Sequence, residues 1–371
     1  MSPRHSERTP RFRDLEGLRA AAAKVGRFVS VWPGRNLAIP RRLSLTVMLV
    51  ALGLGMASAT PTVASTPSSA PVALQATASD IIAAAVADSS GGVTADNLPK
   101  TVDRAVPTNL QPALAHASGS LPPPYFDGCH LNASEVVSPS CTYGKVTGTH
   151  TVVLFGDSHA AQWWPAIQKL SLQQGWKFVS YTKTACRPIE IGQFNPDLKS
   201  LYTACTTWVK NTLPRIAALH PDLVVVGEAD TVRIARPDGT PYSIADTPVA
   251  FGLALTTTLE TLSHSASHVV MMGDEPYSTF DVLPCISAHL TSILACSTPY
   301  SQAIRPSWRT AVKKAAQAAG TGYIDPTFWV CVSSPCPPIV GDYLLYRNPS
   351  HLTKLFVATL AGRLSAKLPG L

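Results

Sequence analysis

The chain has 371 residues, 46% hydrophobic and only 14% charged, enough apolar material for one large α/β domain with extensions or for two average domains. Its formal net charge of +7 resides in the first 42 residues, where ten Lys or Arg face Glu7, Asp14 and Glu16. The rest of the chain is balanced, and nothing in it calls for nucleic acid as a partner.

The basic tail (residues 1–42) ends in Arg41-Arg42 and runs into Leu43 to Thr60, which carries no charge. Such a run just spans a hydrocarbon core of roughly 30 Å as a helix. The positive-inside rule keeps the tail cytoplasmic and exports everything after residue 60. A cleavable signal peptide ending at Ala57-Ser58-Ala59 is the rival reading, and it exports the same domain. Residues 61–124 read as a Pro/Ser/Thr/Ala-rich linker and an extended arm, and residues 125–371 as the folded domain.

Within that domain strand and helix signals alternate. Thr151 to Phe155, Trp176 to Tyr181, Asp222 to Val226, His268 to Met272 and the neighbourhood of Tyr323 and Ile324 are short apolar runs expected as buried strands. Residues 160–174, 206–219, 248–263 and 306–319 have helical spacing, as does the C-terminal stretch 352–368. The alternation predicts an α/β three-layer sandwich with a mostly parallel sheet. Its ligand sites lie beyond the carboxyl ends of the strands.

All eight cysteines follow residue 128 and fall into neighbours: Cys129 and Cys141, Cys186 and Cys205, Cys285 and Cys296, Cys331 and Cys336. An even count confined to the exported side points to disulfides, neighbour pairing being one arrangement among many. No pair has C-x-x-C spacing or an adjacent histidine pair, so no metal is expected, nor any other cofactor.

Gly156-Asp157-Ser158-His159 joins the first strand to the first helix, which places the serine on a tight turn at the carboxyl edge of the sheet. The helix N-terminus there offers N–H groups to a developing oxyanion. At the other end of the chain, His351 in Tyr346-Arg347-Asn348-Pro349-Ser350-His351-Leu352-Thr353 precedes the last helix. A serine hydroxyl is a poor nucleophile until an imidazole within reach takes its proton, and His351 is placed to supply it.

These two segments resemble the SGNH/GDSL hydrolase superfamily, and more narrowly the SGNH domain found behind membrane acyltransferase type 3 domains, which O-acylate cell-surface glycans. Asp325-Pro326-Thr327-Phe328-Trp329-Val330-Cys331 and Cys336-Pro337 fit the same pattern. Arg13 to Ala20 is similar to the entry of the first membrane helix of those acyltransferases, with the multi-span domain missing. The resemblance implies a flavodoxin-like SGNH fold and an exported esterase or O-acyltransferase working through an acyl-Ser158 intermediate, with His351 as base. It further implies an acylated donor, a cell-envelope glycan acceptor, membrane contact through residues 43–60, and a separate membrane acyltransferase as a partner. The family's aspartate, three residues before the histidine, is here Asn348, which leaves a weakened enzyme, a Ser–His dyad, recruitment of Asp325 or Asp342, or a catalytically impaired surface module that binds glycan or a partner. Asp157 and Gly227 are expected as oxyanion-hole or supporting residues, with the Thr184-Ala185 turn as a further positional candidate. Trp163 and Trp164 are expected in the core or as a glycan platform.

Overall fold

The computed structural model describes residues 94–195 and 198–371. The basic tail, the apolar segment 43–60 and the linker up to residue 93 lie outside the described residues. Among those described, no helix is long and apolar enough to cross a membrane.

The strands in chain order are β1 (His130–Leu131), β2 (Thr142–Gly144), β3 (Thr151–Gly156), β4 (Lys177–Lys183), β5 (Gln193–Asn195), β6 (Ser200–Leu201), β7 (Leu223–Gly227), β8 (Arg233–Ile234), β9 (His268–Met272) and β10 (Gly322–Ile324). The β-branched runs of β3, β7 and β9 are buried almost end to end, as strands covered on both faces must be. With β4 and β10 they pair in parallel in the order β4-β3-β7-β9-β10. Two pieces without a sequence signal complete the outer edge. β1 runs parallel to the end of β4 and β2 antiparallel to its beginning.

The helices that cover the sheet and carry the site are α1 (Ser158–Ala161), α2 (Trp164–Gln174), α3 (Thr203–Ala217), α4 (Thr247–Ser263), α5 (Pro306–Ala318), α6 (Lys354–Thr359) and α7 (Ala361–Ser365). Side chains alternate across the sheet and build one core on each face. Val152, Leu154 and Val225 meet Ile167 and Leu170 of α2 and Phe356 and Leu364 of α6 and α7. Val153, Phe155 and Val226 meet Trp208 of α3, Phe251 of α4 and Val312 of α5. Each fully buried side chain of this size contributes about 1.5–3 kcal/mol. Because β4 and β7 lie on opposite sides of β3, the chain reverses its winding there, and a crevice opens at the carboxyl end of β3.

The eight cysteines close as four disulfides between neighbours. Cys129 bonds to Cys141 and ties the segments that lead into β1 and β2. Cys186, just after β4, bonds to Cys205 in the first turn of α3. Cys285, on the short helix Val282–Ala288, bonds to Cys296 at the end of the 3-10 turn Leu294–Cys296. Cys331 bonds to Cys336 across the loop that precedes the His351 segment.

Three boundaries differ from expectation. The helix expected over 160–174 breaks before Trp164 because Pro165 has no N–H to donate and crowds the preceding turn. The C-terminal helix starts at Lys354, since Leu352 is held in a β-pair and Thr353 caps the helix. It is interrupted at Leu360, where the Thr359 hydroxyl donates to the Phe356 carbonyl at 2.7 Å and competes with the backbone. The arm is part of the folded body well before residue 125. Thr101 N–H donates to Ser334 O (3.0 Å), Val106 N–H to Leu290 O (2.9 Å) and Gln111 N–H to Asp342 O (2.7 Å), while Leu110 and Ala117 enter the core.

Candidate active site

β3 ends in a glycine because the turn leaves no alternative. Gly156 has φ 148°, and a Cβ there would fall 1.8 Å from the Gly227 carbonyl oxygen. Asp157 follows as the N-cap of α1, its Oδ1 accepting from His159 N–H at 2.8 Å. Its Oδ2 accepts from Ala229 N–H at 3.1 Å and lies 3.4 Å from Arg187 Nε. With both oxygens engaged, Asp157 braces the turn. Ser158 is the first residue of α1, half-buried, with its hydroxyl turned to His351.

His351 arrives on a short hairpin. After the pair β11 (Ile339–Val340) and β12 (Tyr343–Leu344), β13 (Tyr346–Asn348) turns through Pro349-Ser350 into β14 (His351–Leu352), which places Asn348 opposite His351. Three hydrogen bonds pin the hairpin: Tyr346 hydroxyl to Pro276 O (2.8 Å), Ser278 N–H to Pro349 O (2.9 Å) and Leu352 N–H to Gln162 Oε1 (2.9 Å). His351 Nε2 is then 2.9 Å from Ser158 Oγ, and its Nδ1 is 3.0 Å from Asn348 Oδ1.

The amide of Asn348 cannot turn freely. Ser350 N–H donates to Asn348 Oδ1 at 3.1 Å, so the oxygen has to face that side. The same oxygen accepts from His351, which puts the proton on Nδ1 and leaves the Nε2 lone pair facing Ser158. The tautomer needed by a general base is therefore set without a carboxylate. Burial, then the positive charges of His159 and Arg347, hold His351 far below the ordinary histidine range, so it rests neutral with its Nε2 lone pair free.

Other candidates have different places. Gly227 sits inside the sheet, paired with Gly156 and Met272, and a Cβ there would lie 3.0 Å from Ala160 Cα. It allows α1 to lie close on the strand, a supporting role. Asp325 is bound to Arg309 (2.8 Å) and Asp342 to Asn109 (2.8 Å), so neither serves His351. Trp163 and Trp164 are core residues. Ala185, in the turn after β4, takes a left-handed conformation (φ 51°) that is uncommon for a residue with a side chain. The cysteines are structural residues outside the relay. Cys129, Cys141, Cys186, Cys205, Cys285, Cys296, Cys331 and Cys336 are all consumed in disulfides, so none has a thiolate to act as nucleophile or metal ligand.

Sequence reasoning missed a buried cluster behind the hairpin. His159 Nδ1 is 2.7 Å from Asp274 Oδ1 and 3.3 Å from Glu275 Oε1, with both acids fully buried just after β9. Gln162 donates to Glu275 at 2.5 Å, and the Tyr277 hydroxyl donates to Asp274. Burial opposes the imidazolium of His159, but the two acids outweigh it and raise its pKa well above the usual value. Burial likewise opposes the charge on Asp274, yet His159, a hydrogen bond with the Glu275 side chain and the amide of Asp230 pull its carboxyl down. Burial and the Asp274 charge push the Glu275 carboxyl well above the usual range. The three side chains have the donor set of a cation site, their ligand atoms lying within 4.8 Å of one another, but here they bond to each other. The available signal was positional: two acids following an apolar strand at the carboxyl edge.

Comparison with known proteins gives a family and a set of related folds. The profile of the family described as "SGNH domain (fused to AT3 domains)" matches residues 127–366. None of the curated proteins compared matches the chain. Among solved structures, the periplasmic domain of a lipopolysaccharide acetyltransferase from Salmonella ser. Paratyphi A is similar at 20% identity and a TM-score of 0.47, covering 60% of this chain and 85% of that one. An aryl esterase from M. smegmatis is similar at 14% identity and TM-score 0.35 (59% and 100%), and Est24, a carbohydrate acetylesterase from Sinorhizobium meliloti, at 13% and 0.34 (59% and 100%).

Proposed function

The chain belongs to the family of SGNH domains of the kind fused to AT3 domains, and from that membership we propose that it is an exported serine esterase or O-acyltransferase acting on acyl esters of cell-envelope carbohydrate. The observation that carries the reading is the continuous relay from Ser158 through His351 to Asn348, at 2.9 and 3.0 Å. Ser158 Oγ attacks the ester carbonyl while His351 Nε2 takes its proton. The tetrahedral intermediate collapses with loss of the alcohol, which leaves with that proton, and the acyl group remains on Ser158. Water or a sugar hydroxyl, deprotonated by His351, then releases the acyl group. Hydrolysis and transfer share every residue and differ only in which hydroxyl enters. The first-turn N–H of α1 at Ser158 is the donor at hand for the oxyanion.

Four disulfides support an oxidising compartment outside the cytoplasm. Residues 43–60 as the membrane anchor, and a separate membrane acyltransferase as supplier of the acyl donor, complete the proposal. A second reading, a surface module that binds glycan or a partner without turning it over, draws on the neutral Asn348. One experiment separates them. Wild type should hydrolyse 4-nitrophenyl acetate and Ser158→Ala should not; equal rates in the two proteins would end the nucleophile assignment.

A further inference from the structure

One side of Ser158 Oγ is taken by His351, so a carbonyl carbon has to reach it from elsewhere. The His351 hairpin belongs to the sheet face covered by α2, α6 and α7, where Leu352 packs. On the opposite face, between the loops that leave β4 and β7, lies a cavity of about 480 Å³. Ala185, Val232 and Trp308 in its wall pack against the core on that face. β4 and β7 are the two neighbours of β3, so their exit loops flank the turn that carries Ser158. Arg187 joins cavity and turn: it reaches Asp157 at 3.4 Å, and the same guanidinium donates to Ala185 O, Ala229 O and Thr231 O.

The wall has a consistent chemistry. Phe194, Ile244 and Trp308 give it an apolar and aromatic body. Arg187 and Arg233 are its ionisable groups, and among the described residues no Asp or Glu lines it. Arg187 is committed to the turn, whereas the exposed guanidinium of Arg233 lies over the Phe194 ring at 5.9 Å. Among the described residues the wall offers cations and no carboxylate, which favours an anion, and a guanidinium is shaped to hold a carboxylate by two parallel hydrogen bonds. The space is that of a small-molecule site and far exceeds what an acetyl group fills.

We propose that this cavity is the substrate pocket and that it selects esters bearing a carboxylate, which Arg233 holds while the ligand body lies against Phe194 and Trp308. The inference rests on Ser158 as the nucleophile. The carboxylate has two sources of the same chemistry: the acyl group, as in a dicarboxylic half-ester, or a uronic-acid sugar.

The test measures kcat/KM of the full chain on two matched pairs: 4-nitrophenyl hemisuccinate against 4-nitrophenyl acetate, and O-acetylated glucuronate against O-acetylated glucose. A preference of about tenfold for the charged member is expected in one pair, the size of one charge-assisted hydrogen bond. The pair that shows it identifies the source. The preference should collapse towards parity in Arg233→Gln through KM and return in part in Arg233→Lys. Parity in both wild-type pairs, or a preference that survives Arg233→Gln, overturns the proposal. If no ester is turned over, the Ser158 reading alone has failed, and calorimetry on Ser158→Ala decides the pocket. Succinate or glucuronate binding that acetate and glucose lack, and that Ser158→Ala/Arg233→Gln loses, upholds it; no such binding overturns it.

Discussion

His159 and His351 stand with their rings 4.5 Å apart, and the protein holds them in opposite states. His351 is half-buried, faces a hydroxyl and a neutral amide, and is kept unprotonated. His159, one residue from the same serine, is buried against two acids and kept protonated. The acid that a serine triad usually places on the base is thus found behind it, partnered by another imidazole. The contrast shows that residue type and position along the chain do not set the role; the groups facing each ring do. Because a cation next to His351 disfavours a second one, the cluster helps keep His351 free of a proton.

The contrast breaks most sharply if each histidine loses its surroundings in turn. His351→Gln should lower ester turnover by about 10²–10⁴-fold, the usual range for a general base, with little change in the denaturant midpoint. Removing both acids, in Asp274→Asn/Glu275→Gln, leaves the His159 charge buried and unpaired, and should cost about 3–5 kcal/mol of stability in urea unfolding. Asp274→Asn alone should cost less, because Glu275 at 3.3 Å can ionise in its place. Equal costs for the single and double variants would show that Glu275 is a bystander.

The acid–base behaviour separates the two rings again. An ordinary histidine base would lose more than tenfold of its active form between about pH 8 and about pH 5. His351, held well below that range, should keep kcat/KM on 4-nitrophenyl acetate nearly level over the same interval. Stability should bend in both directions. His351, and His130, which burial pushes down to about 3, contribute stability that is present above the ordinary histidine value and lost as the pH falls below it. His159, raised, contributes stability that is present below that value and lost as the pH rises through its folded pKa. Urea midpoints across pH for wild type and His159→Gln would display the alkaline limb in the first protein and its absence in the second.

How far the sequence discloses this depends on the distance over which each contact acts. The turn Gly156 to His159 is local, and its strand-then-helix signal is visible in a dozen residues. The 193 positions between Ser158 and His351 are bridged only by the resemblance of the two motifs to a known family. The cysteines pair with their neighbours, Cys186 with Cys205 and Cys285 with Cys296 among them, because the intervening loops are short. The tautomer of His351 was not legible, since it depends on the backbone N–H of Ser350, and nothing in Asn348-Pro349-Ser350 says where that N–H points. The partners of His159 lie 115 and 116 residues away without a motif, and the cavity gathers its wall from separate segments between Ala185 and Trp308. Gly227 is equivocal in the sequence for a related reason: a glycine that admits a helix and one that offers an amide look alike until the helix is placed.

The smallest expected effect bears on the neutral member of the relay. In the serine-protease case, replacing the triad aspartate with asparagine costs about 10⁴-fold, chiefly because the imidazole is left in the wrong tautomer. Here the tautomer is already right, because Ser350 N–H orients the amide at 3.1 Å. What Asn348 lacks is only the charge that would steady the imidazolium formed when Ser158 gives up its proton. A hydrogen bond to a charged acceptor exceeds a neutral one by about 1–1.5 kcal/mol, which is about tenfold in rate. Asn348→Asp should therefore raise kcat on 4-nitrophenyl acetate by about tenfold, and Ser158→Ala in that background should remove the gain. It should also lift the pKa of His351, so that the acid limb of the kcat/KM profile moves towards neutral pH. A gain approaching 10⁴-fold would mean that the wild-type amide is turned the other way and the tautomer argument is wrong. An unchanged rate with an unchanged pH profile would mean that the carboxylate does not reach Nδ1 and that the pair works as a Ser–His dyad.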